Sequence, residues 1–181
     1  MTPGSPETEP TAGPTEEDRG AAPVLVLAVG NILLGDDGCG QRVLTELATV
    51  RARWGPAVEL LDGGTQGMAL LGFLSGRRAV VALDAVSLGA APGTVHHLRD
   101  RDVFAALAAR GLTAHEGNAG ELLRSAALLG ELPPEVVVIG IEPESVATEI
   151  GLSRSVEEAV PAALRLVVEV VDEVVAALDS P

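Results

Sequence analysis

Six consecutive apolar residues, Val24 to Val29, run into the segment GNILLGDDGCG, which holds four glycines and two adjacent carboxylates. A short apolar run bounded by turn residues fits a strand covered on both faces, as in a parallel sheet. Glycines permit positive φ and close backbone approach, so the segment after it reads as a shaped turn rather than a plain connector. A helical pattern follows. The same design recurs twice: Val58 to Leu61 ends at Asp62 in the turn DGGT, and Ala79 to Leu83 ends at Asp84. If the three strands are parallel, Asp37, Asp62 and Asp84 emerge at one edge of the sheet. Open α/β sheets present their ligands beyond that carboxyl edge.

The remaining segments extend this pattern. Val43, Leu44, Leu47 and Val50 predict a helix over about Gly38 to Arg51, and Gln66 to Leu74 reads as a short second one. Beyond Pro92-Gly93, Thr94 to Leu98 predicts a short edge strand and Asp102 to Ala109 a helix. Gly111 to Gly117 is a loop carrying His115; Ala119 to Leu129 predicts a helix and Val136 to Ile141 a last central strand. Ser155-Val156-Glu157-Glu158 has the form of a capping box and opens a final helix to about Leu178. Pro161 should kink that helix or mark its true start. Its charged residues recur too often for it to span a membrane. The fold class is α/β: a three-layer α/β/α sandwich around a mostly parallel, twisted sheet of about five strands.

Composition narrows the function. The chain has 181 residues, enough for a sizeable core without disulfides or metal. With 47% apolar residues but only 2% aromatic, that core must be built from Ala, Val and Leu. Against 26 acids stand 12 basic residues, all arginine, giving a formal charge of −14. Such a field disfavours nucleic acid and anionic membranes and suits a cationic partner or a metal. One cysteine, Cys39, allows no internal disulfide, and no signal peptide opens the chain, so a cytoplasmic location is expected. Residues 1–22, rich in Pro, Gly, Thr and Glu, read as a disordered acidic tail ahead of a single domain over 23–181.

Each candidate residue has a plainer reading beside the chemical one. Aspartate after a strand is a common helix N-cap, and we assign that role to Asp36, which leaves Asp37 free to reach the cleft. Carboxylates gathered with a histidine make a hard-to-borderline site for Zn²⁺, Ni²⁺ or Mn²⁺. A lone loop histidine, as His115 is, more often just faces water. Glu116 beside it is either a supporting acceptor or a solvated charge. His96 and His97 are neighbours in a strand, face opposite ways and do not chelate together. Cys39 reads as a packing residue with nothing to lower its pKa.

Several ordered segments also carry a resemblance. G-N-x-L-x-G-D-D-G-x-G after a buried strand, then LLDGGTQGMALL, ALDAVSLGAAPG, the loop around His115 and VVIGIEPE, resemble the [NiFe]-hydrogenase maturation endopeptidases over roughly Val24 to Leu178. The resemblance implies an enzyme that removes the C-terminal extension of the hydrogenase large-subunit precursor after nickel insertion. It places metal recognition and catalysis on Asp37, Asp84 and His115, and substrate contact on the turn Asp62, Gly63, Gly64 and Thr65. Nickel would arrive with the precursor, and Zn or Cd could substitute for it. The implied protein is a monomer with no nucleic-acid or membrane partner. The competing reading is a chaperone or checkpoint that binds the nickel-loaded precursor without cutting it. A nucleotide site is disfavoured, because carboxylates stand where phosphates need positive potential.

Overall fold

The structure is a computed structural model that describes residues 21–110 and 119–178. Five strands form one sheet in the order β2-β1-β3-β5-β4. They are β1 (Val24–Val29), β2 (Val58–Gly64), β3 (Ala79–Ala85), β4 (Val95–Arg99) and β5 (Glu135–Ile141). The first three and β5 pair in parallel, and β4 closes one edge antiparallel to β5. The expected sandwich and the edge position of the strand near residues 94–98 are both borne out.

Side chains on a strand alternate between faces, so an all-apolar strand needs cover on both. On one face Val24, Val26, Ala28, Val81, Leu83, Val137 and Ile139 pack with α1 (Cys39–Ala48) and α5 (Arg154–Leu178). On the other, Leu25, Leu27, Val80, Ala82, Val136 and Val138 meet a second group. It comprises a 3₁₀ turn (Gly67–Leu70) running into α2 (Leu71–Leu74), then α3 (Arg101–Arg110) and α4 (Ala119–Leu129). Trp54 is the only aromatic residue among the buried ones described; the rest of the core is aliphatic, as composition demanded.

The largest departures lie at the ends of elements. β2 and β3 run further than expected, so Asp62 and Asp84 sit within the last residues of their strands rather than after them. The final helix is capped by Ser153, whose Oγ accepts the N–H of Val156 at 3.4 Å. Ser155, two residues on, instead donates to Glu144 Oε2 at 2.6 Å. Ser153 stands directly before the first helical residue, Arg154, whereas Ser155 already lies inside the helix. Pro161 does not mark the start: α5 runs on through it from Arg154. The buried face of α5 includes Ala159 and Ala163 as well as Val160, Val167 and Val171, while Leu164, Val168, Val175 and Leu178 are only partly covered. Small residues let that helix lie close to the sheet, and the larger ones flank the contact.

Of the expected tail, residues 1–20 lie outside the described residues. Ala22 is already tied to the domain, its carbonyl accepting Arg77 Nη1 at 2.6 Å. The loop carrying His115 and Glu116 also lies outside the described residues.

Candidate functional site

Strand order turns at β1: β2 lies on one side of it and β3 on the other. The crevice beyond the carboxyl ends of β1 and β3 is therefore the switch point at which such sheets bind ligands. The chain leaving β1 folds into this crevice through two glycines. At Gly30 (φ +126°) a Cβ would stand 2.0 Å from the Asp37 carbonyl oxygen, so no other residue closes the loop. At Gly40 a Cβ would meet the Leu83 carbonyl oxygen at 2.4 Å, so glycine lets α1 lie directly on the strand backbone. Between them Gly35–Gly38 forms a 3₁₀ turn that carries both aspartates.

Asp36 and Asp37 point in different directions, as adjacent residues must. Asp36 is buried, and its carboxylate accepts three backbone N–H groups: Glu144 at 2.9 Å, Ser145 at 3.1 Å and Ser153 at 2.6 Å. This corrects the expectation that it caps the following helix, whose first residues receive no side-chain cap. Its partners instead belong to the loop after β5. Asp37, also buried, accepts the Asn31 N–H on Oδ2 at 2.7 Å. Among the described residues no hydrogen bond reaches its other oxygen.

Asp84 is buried at the end of β3. It accepts the N–H of Ala85 on Oδ1 at 2.8 Å and that of Ala119 on Oδ2 at 3.0 Å. The plainer reading is thus partly realised, since Asp84 holds the first residue of α4. Two oxygens with two lone pairs each leave acceptor capacity beyond these two bonds. Burial drives the Asp84 carboxyl well above the usual range; the Ala119 N–H opposes this, the charge of Asp37 adds to it and the Ala85 N–H opposes it again. A carboxylate whose charge is so disfavoured gains most from a neighbouring cation. Cys39 lies under the same group: burial first, then Asp84, Asp37 and Asp36, push its thiol upward. It stays a protonated packing residue, as expected. Among the described residues no arginine pairs with Asp36, Asp37 or Asp84, and no group of three metal-ligating side chains assembles. Carboxylates without a counter-ion are a donor set that fits a divalent cation.

Asp62 is exposed and accepts the N–H of Gly64 on Oδ1 at 3.0 Å, which shapes its own turn. Gly63 is buried where a Cβ would press to 2.7 Å from Leu70 Cδ1. Gly64 (φ +49°) follows the irregularity in the β1–β2 pairing and accepts the N–H of Gly30 at 3.0 Å. Asp62, Gly64 and Thr65 share a cavity of about 220 Å³ with Gly30, Asn31, Ile32 and Gln41. The turn thus stands beside the β1 loop, while Asp62 is occupied in part with holding its shape.

Glu142 is a buried acid that the sequence reading passed over. It follows β5 as Asp84 ends β3, and extending the strand-then-acid rule to the fourth strand would have found it. Its carboxylate accepts Leu88 N–H at 2.9 Å and Gly89 N–H at 3.0 Å, and pairs with His96 Nε2 at 2.9 Å. Burial alone would raise this carboxyl, but the amides of Leu88, Gly89 and Ala90 with His96 hold it below the ordinary glutamate range. His97 is exposed, so the two histidines do face apart.

A doubly wound α/β domain with uncompensated carboxylates at its switch point is the architecture of a ligand- or cation-handling protein. Comparison with known proteins makes this specific. Residues 42–170 match the model of a family described as hydrogenase maturation protease. The Hydrogenase 2 maturation protease of Escherichia coli is 39% identical over 151 residues, covering 83% of this chain and 91% of that protein. The hydrogenase expression/formation protein HupD of Rhodobacter capsulatus is 41% identical over 121 residues, covering 66% of this chain; the match spans 57% of HupD's length. Among solved structures, the hydrogenase maturating endopeptidase HybD from E. coli superposes with a TM-score of 0.72 at 35% identity, over 83% of this chain and 92% of HybD. The [NiFe] hydrogenase maturation protease HybD from Thermococcus kodakarensis gives 0.67 at 30% identity, over 81% and 97%. The chain belongs to the hydrogenase maturation protease family.

Proposed function

We propose that this chain is the endopeptidase that removes the C-terminal extension of a [NiFe]-hydrogenase large-subunit precursor once nickel is in place. Asp37, Asp84 and His115 engage the nickel that the precursor brings, and the Asp62–Thr65 turn contacts the precursor chain. The observation that carries the reading is the pair of buried carboxylates, Asp37 and Asp84, set at the switch point without a cationic partner among the described residues. A bound divalent metal polarises a carbonyl and lowers the pKa of its water, which is the chemistry peptide hydrolysis needs. Asp84 also holds Ala119, the residue at which the segment carrying His115 rejoins the described chain. Among the described residues no helix is long and apolar enough to cross a membrane, and a monomer acting in the cytoplasm is the form we propose.

The test is to incubate the purified protein with nickel-loaded and nickel-free precursor. Shortening of the loaded precursor alone is expected. A stable complex with intact precursor would instead identify a checkpoint chaperone. His115→Ala should abolish processing while leaving the melting temperature unchanged, and should weaken binding of added Zn²⁺ in titration calorimetry. Retained processing by that variant removes His115 from the site.

A further inference from the structure

Next to the acidic crevice lies a groove of about 410 Å³ whose sides are apolar: Ile32 and Leu33 from the loop after β1, Ile150 and Leu152 from the loop after β5. Ile150 is 85% exposed, Ile32 60% and Leu33 54%, three large apolar side chains gathered on one groove. The two sides are joined before anything binds. Gly35 N–H donates to the Glu149 carbonyl at 2.8 Å and Glu149 N–H to the Leu33 carbonyl at 3.1 Å, a short parallel bridge between the loops. Asp36 adds its three amide bonds to the same loop. A groove held this way loses little freedom on binding.

Gln41 lines the groove. Its Nε2 donates to the Gly30 carbonyl at 2.9 Å, which fixes the amide's orientation. Its Oε1 is then buried with no hydrogen-bond partner among the described residues, and the residue is only 8% exposed. Buried acceptors in folded proteins nearly always have a donor. Gln41 and Ile32 also line the cavity that holds Asp62, so the groove is continuous with the candidate site.

We propose that this groove binds an extended, apolar stretch of the precursor's C-terminal segment, with side chains against Ile32, Leu33 and Ile150 and one backbone N–H donated to Gln41 Oε1. An extended chain offers free N–H groups, whereas a helix spends its own internally. The inference rests on the peptidase reading for the identity of the partner. It adds the surface that selects and aligns the segment to be cut.

The experiment uses the full chain with p-benzoylphenylalanine in place of Ile150, irradiated with nickel-loaded precursor and mapped by mass spectrometry. Cross-links confined to the precursor's C-terminal segment are expected. Cross-links elsewhere in the precursor, to a second copy of this chain or within the same chain, or none at all, overturn the proposal. In parallel, Leu33→Ser and Ile150→Ser should each raise KM for precursor about tenfold, the effect of losing one buried aliphatic contact, with kcat changed less than about twofold. An unchanged KM with intact cleavage defeats the groove and spares the peptidase. Wild-type protein that leaves the precursor full length defeats the peptidase, and the cross-links still decide what occupies the groove.

Discussion

The two ends of the sheet treat their carboxylates in opposite ways. At the amino ends of the strands, acids are met by arginine: Glu59 by Arg77 at 2.7 Å, and Glu135 and Glu173 by Arg99 at 3.5 and 2.9 Å. At the carboxyl ends Asp36, Asp37 and Asp84 are met by backbone N–H groups, and among the described residues by no arginine. Amides orient a carboxylate without cancelling its charge. At one end these acids already hold a cation, and at the other they are left to receive one. An acidic chain therefore need not be acidic everywhere in effect; what matters is which acids are left without a cationic partner.

The largest test of this contrast is Asp84→Asn. It keeps the size of the side chain but removes the carboxyl that an incoming cation would ionise, and leaves the N–H of Ala85 or Ala119 without its acceptor; processing should fall by at least about a hundredfold. Retained cleavage would make the carboxyl end structural after all. Next is Asp36→Ala, which takes the shared acceptor from three backbone amides. Urea unfolding should show a loss of about 3 kcal/mol or more, with the loops after β1 and β5 released together. A loss below about 1 kcal/mol would mean that those loops need no anchor.

Glu142→Gln should cost about 1–3 kcal/mol at neutral pH, because a charged acceptor for two amides and His96 is replaced. The wild-type carboxyl is depressed on folding, so its contribution is complete above the ordinary glutamate range and is lost as pH falls through the lower folded value. The gap between wild type and variant should therefore narrow on acidification. A gap that widens instead would reverse the sign of that coupling. The smallest change is expected from Arg99→Gln at the amino end. Its partly exposed pairs should contribute less than about 1 kcal/mol, and processing should be unaffected.

Much of this fold was legible because its central strands, β1, β3 and β5, are mostly apolar. Val24 to Val29 and Ala79 to Leu83 fitted central parallel strands, and the shared edge of the aspartates at their ends followed from that topology. What the sequence could not disclose was the partner of each polar atom. Asp36 looked like a helix cap because a helix follows it, yet its amides come from more than a hundred positions away. Ser155 matched a capping pattern that Ser153 fulfilled, since both lie within one turn of the helix start. Glu142 was missed because it precedes a proline and no helix, so the strand-then-acid rule was not carried to the strand before it. Local pattern places a carboxylate at an edge; only the returning chain decides what it holds.

The reach of Asp36 also orders events during synthesis. Its partners lie 108, 109 and 117 positions further along the chain. On the ribosome the N-terminal half can pair its first strands and close the Asn31–Asp37 bond, but Asp36 has all three of its amide partners only once Ser153 has emerged. The loop that carries both aspartates is therefore fastened to the rest of the domain only after β5 and the segment following it have been made.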